Sequence, residues 1–150
     1  MHIIEKAVFT NMCMIVNNNG EVLVQDRVKS WKGLAFPGGH LNEYESIIES
    51  TKREIFEETG LIVSNLKLCG IKQWFNEKEG RNVCFLFKTN SFSGNLSDSD
   101  EGHNIWMKLD ELASHNGLAS TFKEMLDVFL NKDCFELYLD KGTYDTHLIK

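Results

Sequence analysis

The segment that most restricts the fold runs from Gly39 to Leu61, GHLNEYESIIESTKREIFEETGL. Ser46 with Glu49 three residues on has the pattern of a helix-opening capping box, and Gly60 is the residue type that closes a helix in the left-handed conformation. Between these signals Ile47, Ile48, Thr51 and Ile55 recur at helical spacing, which predicts an amphipathic helix with that face on the core. Its polar face is harder to explain by stability. Glu54, Glu57 and Glu58 stand at i, i+3 and i+4, so three carboxylates project from one side. Like charges so placed cost roughly 0.2–0.5 kcal/mol per pair. A cation among the three would remove that cost, and oxygen donors that leave room for water favour Mg²⁺ or Mn²⁺ over Zn²⁺. Arg53 is placed to reach back to Glu49 or across to a neighbouring carboxylate.

The rest of the chain predicts a mixed sheet around two helices. AVFTNMCMIV (7–16), the turn signal NNNG and the alternating EVLVQDRV read as a β-hairpin. SWKGLAFPGGH (30–40) is loop-like, with three glycines and Pro37, the chain's one proline. The glycines of FPGG let backbone approach a ligand closely. Two apolar, strand-like runs, 61–75 and 82–92, flank the polar turn NEKEGR, and Ile105–Leu109 adds a short strand before DELAS, a turn or short helix. STFKEMLDVFLN predicts a second amphipathic helix carrying Phe122, Met125, Leu126 and Phe129. The tail 134–149 reads as a hairpin turning at Asp140–Gly142. The expectation is an α/β or α+β sandwich and one domain spanning 1–150.

With 150 residues, 42% of them hydrophobic, the chain can fill a single core. Its formal charge of -6 argues against stable nucleic-acid binding, which needs clustered Lys and Arg. A small phosphorylated ligand stays open, because a divalent cation can stand between acidic protein and anionic substrate. Cys13, Cys69, Cys84 and Cys134 form no C-x-x-C pair and read as buried thiols of a reducing compartment. No apolar run approaches the roughly 20 residues of a membrane span, and MHIIEKAVFT lacks the features of a signal peptide. The expected location is cytoplasmic, with no membrane partner.

Gly39, Glu45, Arg53, Glu54, Ile55, Glu57, Glu58, Gly60 and Leu61 match the pattern G-x5-E-x7-R-E-U-x-E-E-x-G-U, U being bulky aliphatic, without a gap or substitution. This is the Nudix box, and the chain resembles the Nudix hydrolases over most of its length. The resemblance implies an α/β/α sandwich with a mixed β-sheet between helices, and Mg²⁺- or Mn²⁺-dependent cleavage of a nucleoside diphosphate linked to another group. It implies that Glu54, Glu57, Glu58 and Gly39 bind metal, that the carboxylates activate water, that Arg53 orients a carboxylate and that Glu45 supports the site. In the MutT-like branch a further carboxylate lies outside the box; Glu101, ahead of IWMKLDEL, is similar to it and is the expected extra metal ligand or base. Markers of other branches are missing: no proline follows Pro37, and no tyrosine falls between Tyr44 and Tyr138.

The resemblance therefore points to nucleoside triphosphates, including oxidised purines such as 8-oxo-dGTP, cleaved to nucleoside monophosphate and pyrophosphate. The expected substrate contacts are Gly38, Gly39 and His40 of the loop, Phe36, Trp31 and Trp74 as stacking candidates, and Asn116 as a reader of the base edge. RNA 5′-end pyrophosphohydrolase, nucleotide sugar hydrolase and non-catalytic nucleotide sensor are the alternative readings. A homodimer is compatible with the sequence.

Overall fold

The computed structural model describes residues 1–150. In chain order the elements are β1 (Ala7–Ile15), β2 (Glu21–Arg27), β3 (Gly33–Ala35), α1 (Ile47–Thr59), β4 (Leu61–Ser64), β5 (Lys67–Asn76) and β6 (Gly80–Thr89). They continue with β7 (Ser91–Gly94), β8 (Gly102–Lys108), α2 (Leu109–Ala113), α3 (Phe122–Leu130), β9 (Glu136–Leu139) and β10 (Thr146–Ile149). A five-stranded mixed sheet has the order β1-β6-β5-β9-β10, a three-stranded sheet the order β3-β2-β8, and β4 pairs with β7.

Strand β1 explains how the layers form. Its inner residues are buried on both faces, as expected of a parallel pairing covered by helices. Met12 and Met14 face the larger cluster with Phe122, Met125 and Phe129 of α3, whereas Cys13 and Ile15 face a smaller cluster with Ile55 of α1. Strand β2 divides the same way, Val22 and Val24 to one side and Leu23 to the other. The sheets thus lie between α1 and α3, which is the α/β/α sandwich that the resemblance implies.

Four local expectations are corrected. The NNNG turn forms, with Asn17 N–H on the Glu21 carbonyl at 2.9 Å, but its strands separate after a single Val16–Val22 bridge. β1 instead takes a nine-residue parallel register on β6, while β2 joins β3 and β8. The loop 30–40 contains the short strand β3. The run 61–75 breaks at Asn65, held at φ 53°, so that β4 leaves to pair with β7. Ile48 is 36% exposed, because the buried stripe of α1 is completed by Ser50, Thr51, Glu58 and Thr59 and not by a further isoleucine.

The two helix-end signals act as read. Ser46 Oγ accepts from Glu49 N–H at 3.1 Å, and Gly60 adopts φ 78° while its N–H reaches the Phe56 carbonyl. Both ends of α1 are thereby fixed, and with them the direction of its carboxylates. The tail hairpin also forms, as β9 and β10. No helix is long and apolar enough to cross a membrane.

Candidate metal and nucleotide site

The glycine loop is stitched to β1 before it meets α1. Cys13 N–H donates to the Pro37 carbonyl at 2.9 Å, Asn11 N–H donates to the Gly39 carbonyl at 2.8 Å, and Gly39 N–H donates to Asn11 Oδ1 at 3.2 Å. Asn11 Nδ2 in turn reaches Ser50 Oγ of α1 at 3.0 Å. The space left is too small for any side chain: a Cβ on Gly38 would stand 2.0 Å from the Asn11 carbonyl oxygen, and one on Gly39 would stand 2.3 Å from the Glu54 carboxylate. Loop backbone therefore lies directly against the carboxylates of α1.

Arg53 organises the outer half of the site. It does not reach back to Glu49, which pairs with Lys52. Its guanidinium meets both oxygens of Glu45, touches Glu54 at 2.9 Å and Glu57 at 3.2 Å, and caps the His40 carbonyl at 2.9 Å. The Arg53 hydrogen bonds, with help from the Asn42 backbone, hold the Glu45 carboxyl down to about 2, and the same pairing raises Arg53 above its ordinary value.

Arg27 organises the inner half. Its Nη2 lies 3.1 Å from Glu101 and its Nη1 lies 3.8 Å from Glu58 and 3.0 Å from Gln25 Oε1, while the guanidinium stacks 4.0 Å over the Trp31 ring. Glu58 is buried and accepts from Gly38 N–H at 3.1 Å and from Gln25 Nε2 at 3.4 Å. Burial pushes its carboxyl up to about 7 against the pull of the Gly38 N–H and Arg27, and the neighbouring Glu54 and Glu101 push the same way. Asn104 ties the helix end to β8, donating to the Glu58 and Ser97 carbonyls at 2.8 Å.

Glu54, Glu57, Glu58, Ser99, Asp100 and Glu101 line one cleft of about 360 Å³ that includes no hydrophobic residue. The structure so brings the three helix carboxylates and Glu101 together. No three of these side chains converge on a single point; Arg53 holds Glu54 and Glu57, and Arg27 holds Glu58 and Glu101. A wall of carboxylate and hydroxyl oxygen fits a hard divalent cation that keeps water in its shell. Glu54, Glu57, Glu58 and Glu101 are the side chains of this wall that could supply its oxygens. The Gly39 carbonyl already accepts from Asn11 and has only its second lone pair to offer.

A larger cleft of about 810 Å³ opens from Glu54, Glu58 and Glu101 and runs past Trp31, Gly38, Gly39 and His40 to Trp74. Two expected contacts are corrected. Asn116 is exposed in the turn after α2 and does not line this cleft. Phe36 reaches the cleft floor, but it is 1% exposed, with Phe122 and Phe129 packed edge-on at 4.9 and 5.0 Å, so it has no free face for a base. Trp31 remains 43% exposed at the cleft mouth.

Arg27, Gln25 and Asn104 were not legible as site residues. The available signal is that Gln25 and Arg27 alternate on a strand whose neighbours are apolar, and polar groups at such positions must find buried partners.

Residues 8–129 match the family model described as NUDIX domain. Among curated proteins, an uncharacterized Nudix hydrolase of Bacillus subtilis, YvcI, is 30% identical over 106 residues, 67% of this chain and 65% of its own length. The oxidized purine nucleoside triphosphate hydrolase of Danio rerio is 32% identical over 84 residues, 55% of this chain and 51% of its own. The aligned part thus spans between about half and two thirds of these relatives. Among solved structures, the mutator MutT protein of Bacillus halodurans superposes with TM-score 0.76 at 27% identity, covering 94% of this chain and 97% of that one. The NUDIX domain of Shewanella oneidensis NrtR, in complex with ADP ribose, superposes with TM-score 0.69 at 14% identity, covering 84% and 88%, a likeness of fold. The matched stretch contains the glycine loop, the carboxylate helix α1, Glu101 and all but the last residue of α3, and the chain belongs to the NUDIX domain family.

Proposed function

We propose that residues 1–150 act as one catalytic unit, hydrolysing a nucleoside triphosphate to nucleoside monophosphate and pyrophosphate with Mg²⁺ or Mn²⁺, the preferred substrate being a purine nucleotide that includes oxidised forms such as 8-oxo-dGTP. The observation that carries the reading is the joining of two clefts: the carboxylate cleft opens onto an elongated one of a size to take a nucleotide. The MutT likeness and the Danio rerio relative support the triphosphate class.

A bound cation would neutralise the pyrophosphate and acidify a water. The chain supplies the rest. Glu54, Glu57, Glu58 and Glu101 form the anionic wall, and one of them accepts the proton of the attacking water. Arg53 keeps Glu54 and Glu57 oriented, Arg27 does so for Glu58 and Glu101, and the Gly38–Gly39 backbone lies directly against Asn11 and the Glu54 carboxylate. The four free cysteines agree with a cytoplasmic setting.

The test is a panel with Mg²⁺ scored by kcat/KM: dGTP, 8-oxo-dGTP, ATP, ADP-ribose, a diadenosine polyphosphate, a nucleotide sugar and triphosphorylated RNA. The proposal expects triphosphates, and 8-oxo-dGTP above dGTP. A clear preference for ADP-ribose, a sugar nucleotide or RNA would replace the triphosphate reading, and no turnover of any would favour a sensor.

A further inference from the structure

Where β5 and β6 line the large cleft, Lys72 is a charged group in no ion pair, although Glu79 of the β5–β6 turn lines the same cleft. Strand register puts Thr10 of β1, Cys84 of β6 and Lys72 of β5 in one row across the sheet, with Asn82 opposite Trp74 in the next. All five line the cleft, roofed by Thr121, Phe122 and Met125 at the start of α3. Lys72 Nζ leans toward Trp74 and sits 4.7 Å from the ring centroid. It reaches no carboxylate; Glu124 of α3 acts on it only at longer range, and burial lowers its basicity. A shielded ammonium whose N–H donors meet only a ring face is poised to donate to a ligand. Asn82, across the strand pair, commits Nδ2 to the Gly80 carbonyl at 3.4 Å and leaves Oδ1 as an acceptor. The Thr121 hydroxyl is buried and has no partner.

We propose that Lys72 is a specificity-determining residue that selects bases bearing an exocyclic oxo group, Lys72 Nζ donating to that oxygen and Asn82 Oδ1 accepting from the adjacent ring N–H. This rests on the triphosphate reading, since it needs the phosphates at the carboxylates and the base beside Lys72. Guanine, hypoxanthine and uracil present an acceptor beside a donor, which complements the pair. Adenine and cytosine present an amino donor beside an acceptor, which sets their N–H against the ammonium and their ring nitrogen against Oδ1. A site built to hydrogen-bond one pattern discriminates strongly, because the wrong base leaves shielded polar groups unpaired. Trp74 has one face occupied by Lys72, so the indole serves to place the ammonium as well as to bound the cleft.

The experiment compares wild type, Lys72→Met and Lys72→Arg on GTP, ITP and ATP, and on UTP and CTP, by kcat/KM. In parallel it measures Kd for GMP and AMP by calorimetry, and Tm for each variant. Wild type is expected to favour oxo over amino bases by about 10- to 100-fold, from the worth of a hydrogen bond to a charged group. Lys72→Met should collapse that ratio through KM, and Lys72→Arg should keep part of it. An unchanged ratio in Lys72→Met, or a wild-type preference for adenine or cytosine, overturns the proposal. If Lys72→Met does not fold, a Lys72→Arg ratio equal to or above wild type together with an Asn82→Ala ratio equal to wild type overturns it. Kd separates the two readings: a Lys72-dependent preference for GMP over AMP without triphosphate turnover supports the base-selecting role of Lys72 and defeats the triphosphate reading. Turnover with a base ranking indifferent to Lys72 does the reverse.

Discussion

Arg53 grips Glu45 through two contacts, Nε to Oε1 at 2.8 Å and Nη2 to Oε2 at 2.9 Å, and with its remaining nitrogen reaches Glu54 at 2.9 Å. A planar fork can do this and a single ammonium cannot. Arg53→Lys should therefore fold but lower kcat/KM by about 10- to 100-fold, the usual scale for loss of a residue that orients metal ligands. A Mg²⁺ titration of activity should shift to higher concentration; a titration identical to wild type would show that the fork is dispensable.

The same pair sets an acid limb of stability. The Glu45 carboxyl is held at about 2 in the fold against an unfolded value near 4.5, so its contribution is fully present above about pH 4.5 and is lost as pH falls toward 2. Glu45→Gln should flatten the fall of Tm across that window. Parallel Tm curves for the two proteins there would contradict the assignment.

Adjacent glycines should fail in different ways. At Gly38 a Cβ meets Asn11 backbone, which cannot yield, so Gly38→Ala should destabilise by about 1–3 kcal/mol in denaturant unfolding. At Gly39 the Cβ meets the end of the Glu54 side chain, which can rotate away. Gly39→Ala should keep most of its stability and lose activity and Mg²⁺ affinity. Equal Tm losses for the two would argue against the close approach.

Two aromatic residues of the same loop divide between fold and ligand. Phe36→Ala should cost about 3–5 kcal/mol of stability because it empties a packed core position. Trp31→Ala should cost under about 1 kcal/mol, since half its surface is already in water, yet weaken nucleotide binding and free Arg27. Unfolding and nucleotide-binding titrations read the two effects separately.

How much was legible follows from the range of the interactions. The α1 signals are local, so Ser46, Gly60 and the Glu54–Glu57–Glu58 face are readable from spacing, whereas Glu101 is singled out only by the resemblance of its surroundings to the MutT-like branch. The divorce of β1 from β2 was not legible, because each strand is buried on both faces and its partner is fixed by distant β6 or β8. Arg27 escaped for the same reason: its partners Glu58 and Glu101 lie 31 and 74 residues away and nothing in QDR announces them. Phe36 is an aromatic beside the glycine loop and Asn116 an amide ahead of the second predicted helix, and only packing distinguishes a residue that faces the cleft from one that props it open or lies outside it.

The central claim is that the carboxylates of α1 run a metal-dependent hydrolysis in this cleft. Glu57 tests it most directly, being the most exposed of the helix acids that line it and the one whose removal leaves the fewest buried groups unpaired. With saturating Mg²⁺ and a purine nucleoside triphosphate, Glu57→Gln should retain the wild-type Tm and lose kcat/KM by about 10²- to 10⁴-fold. A folded Glu57→Gln protein with wild-type turnover would contradict the account.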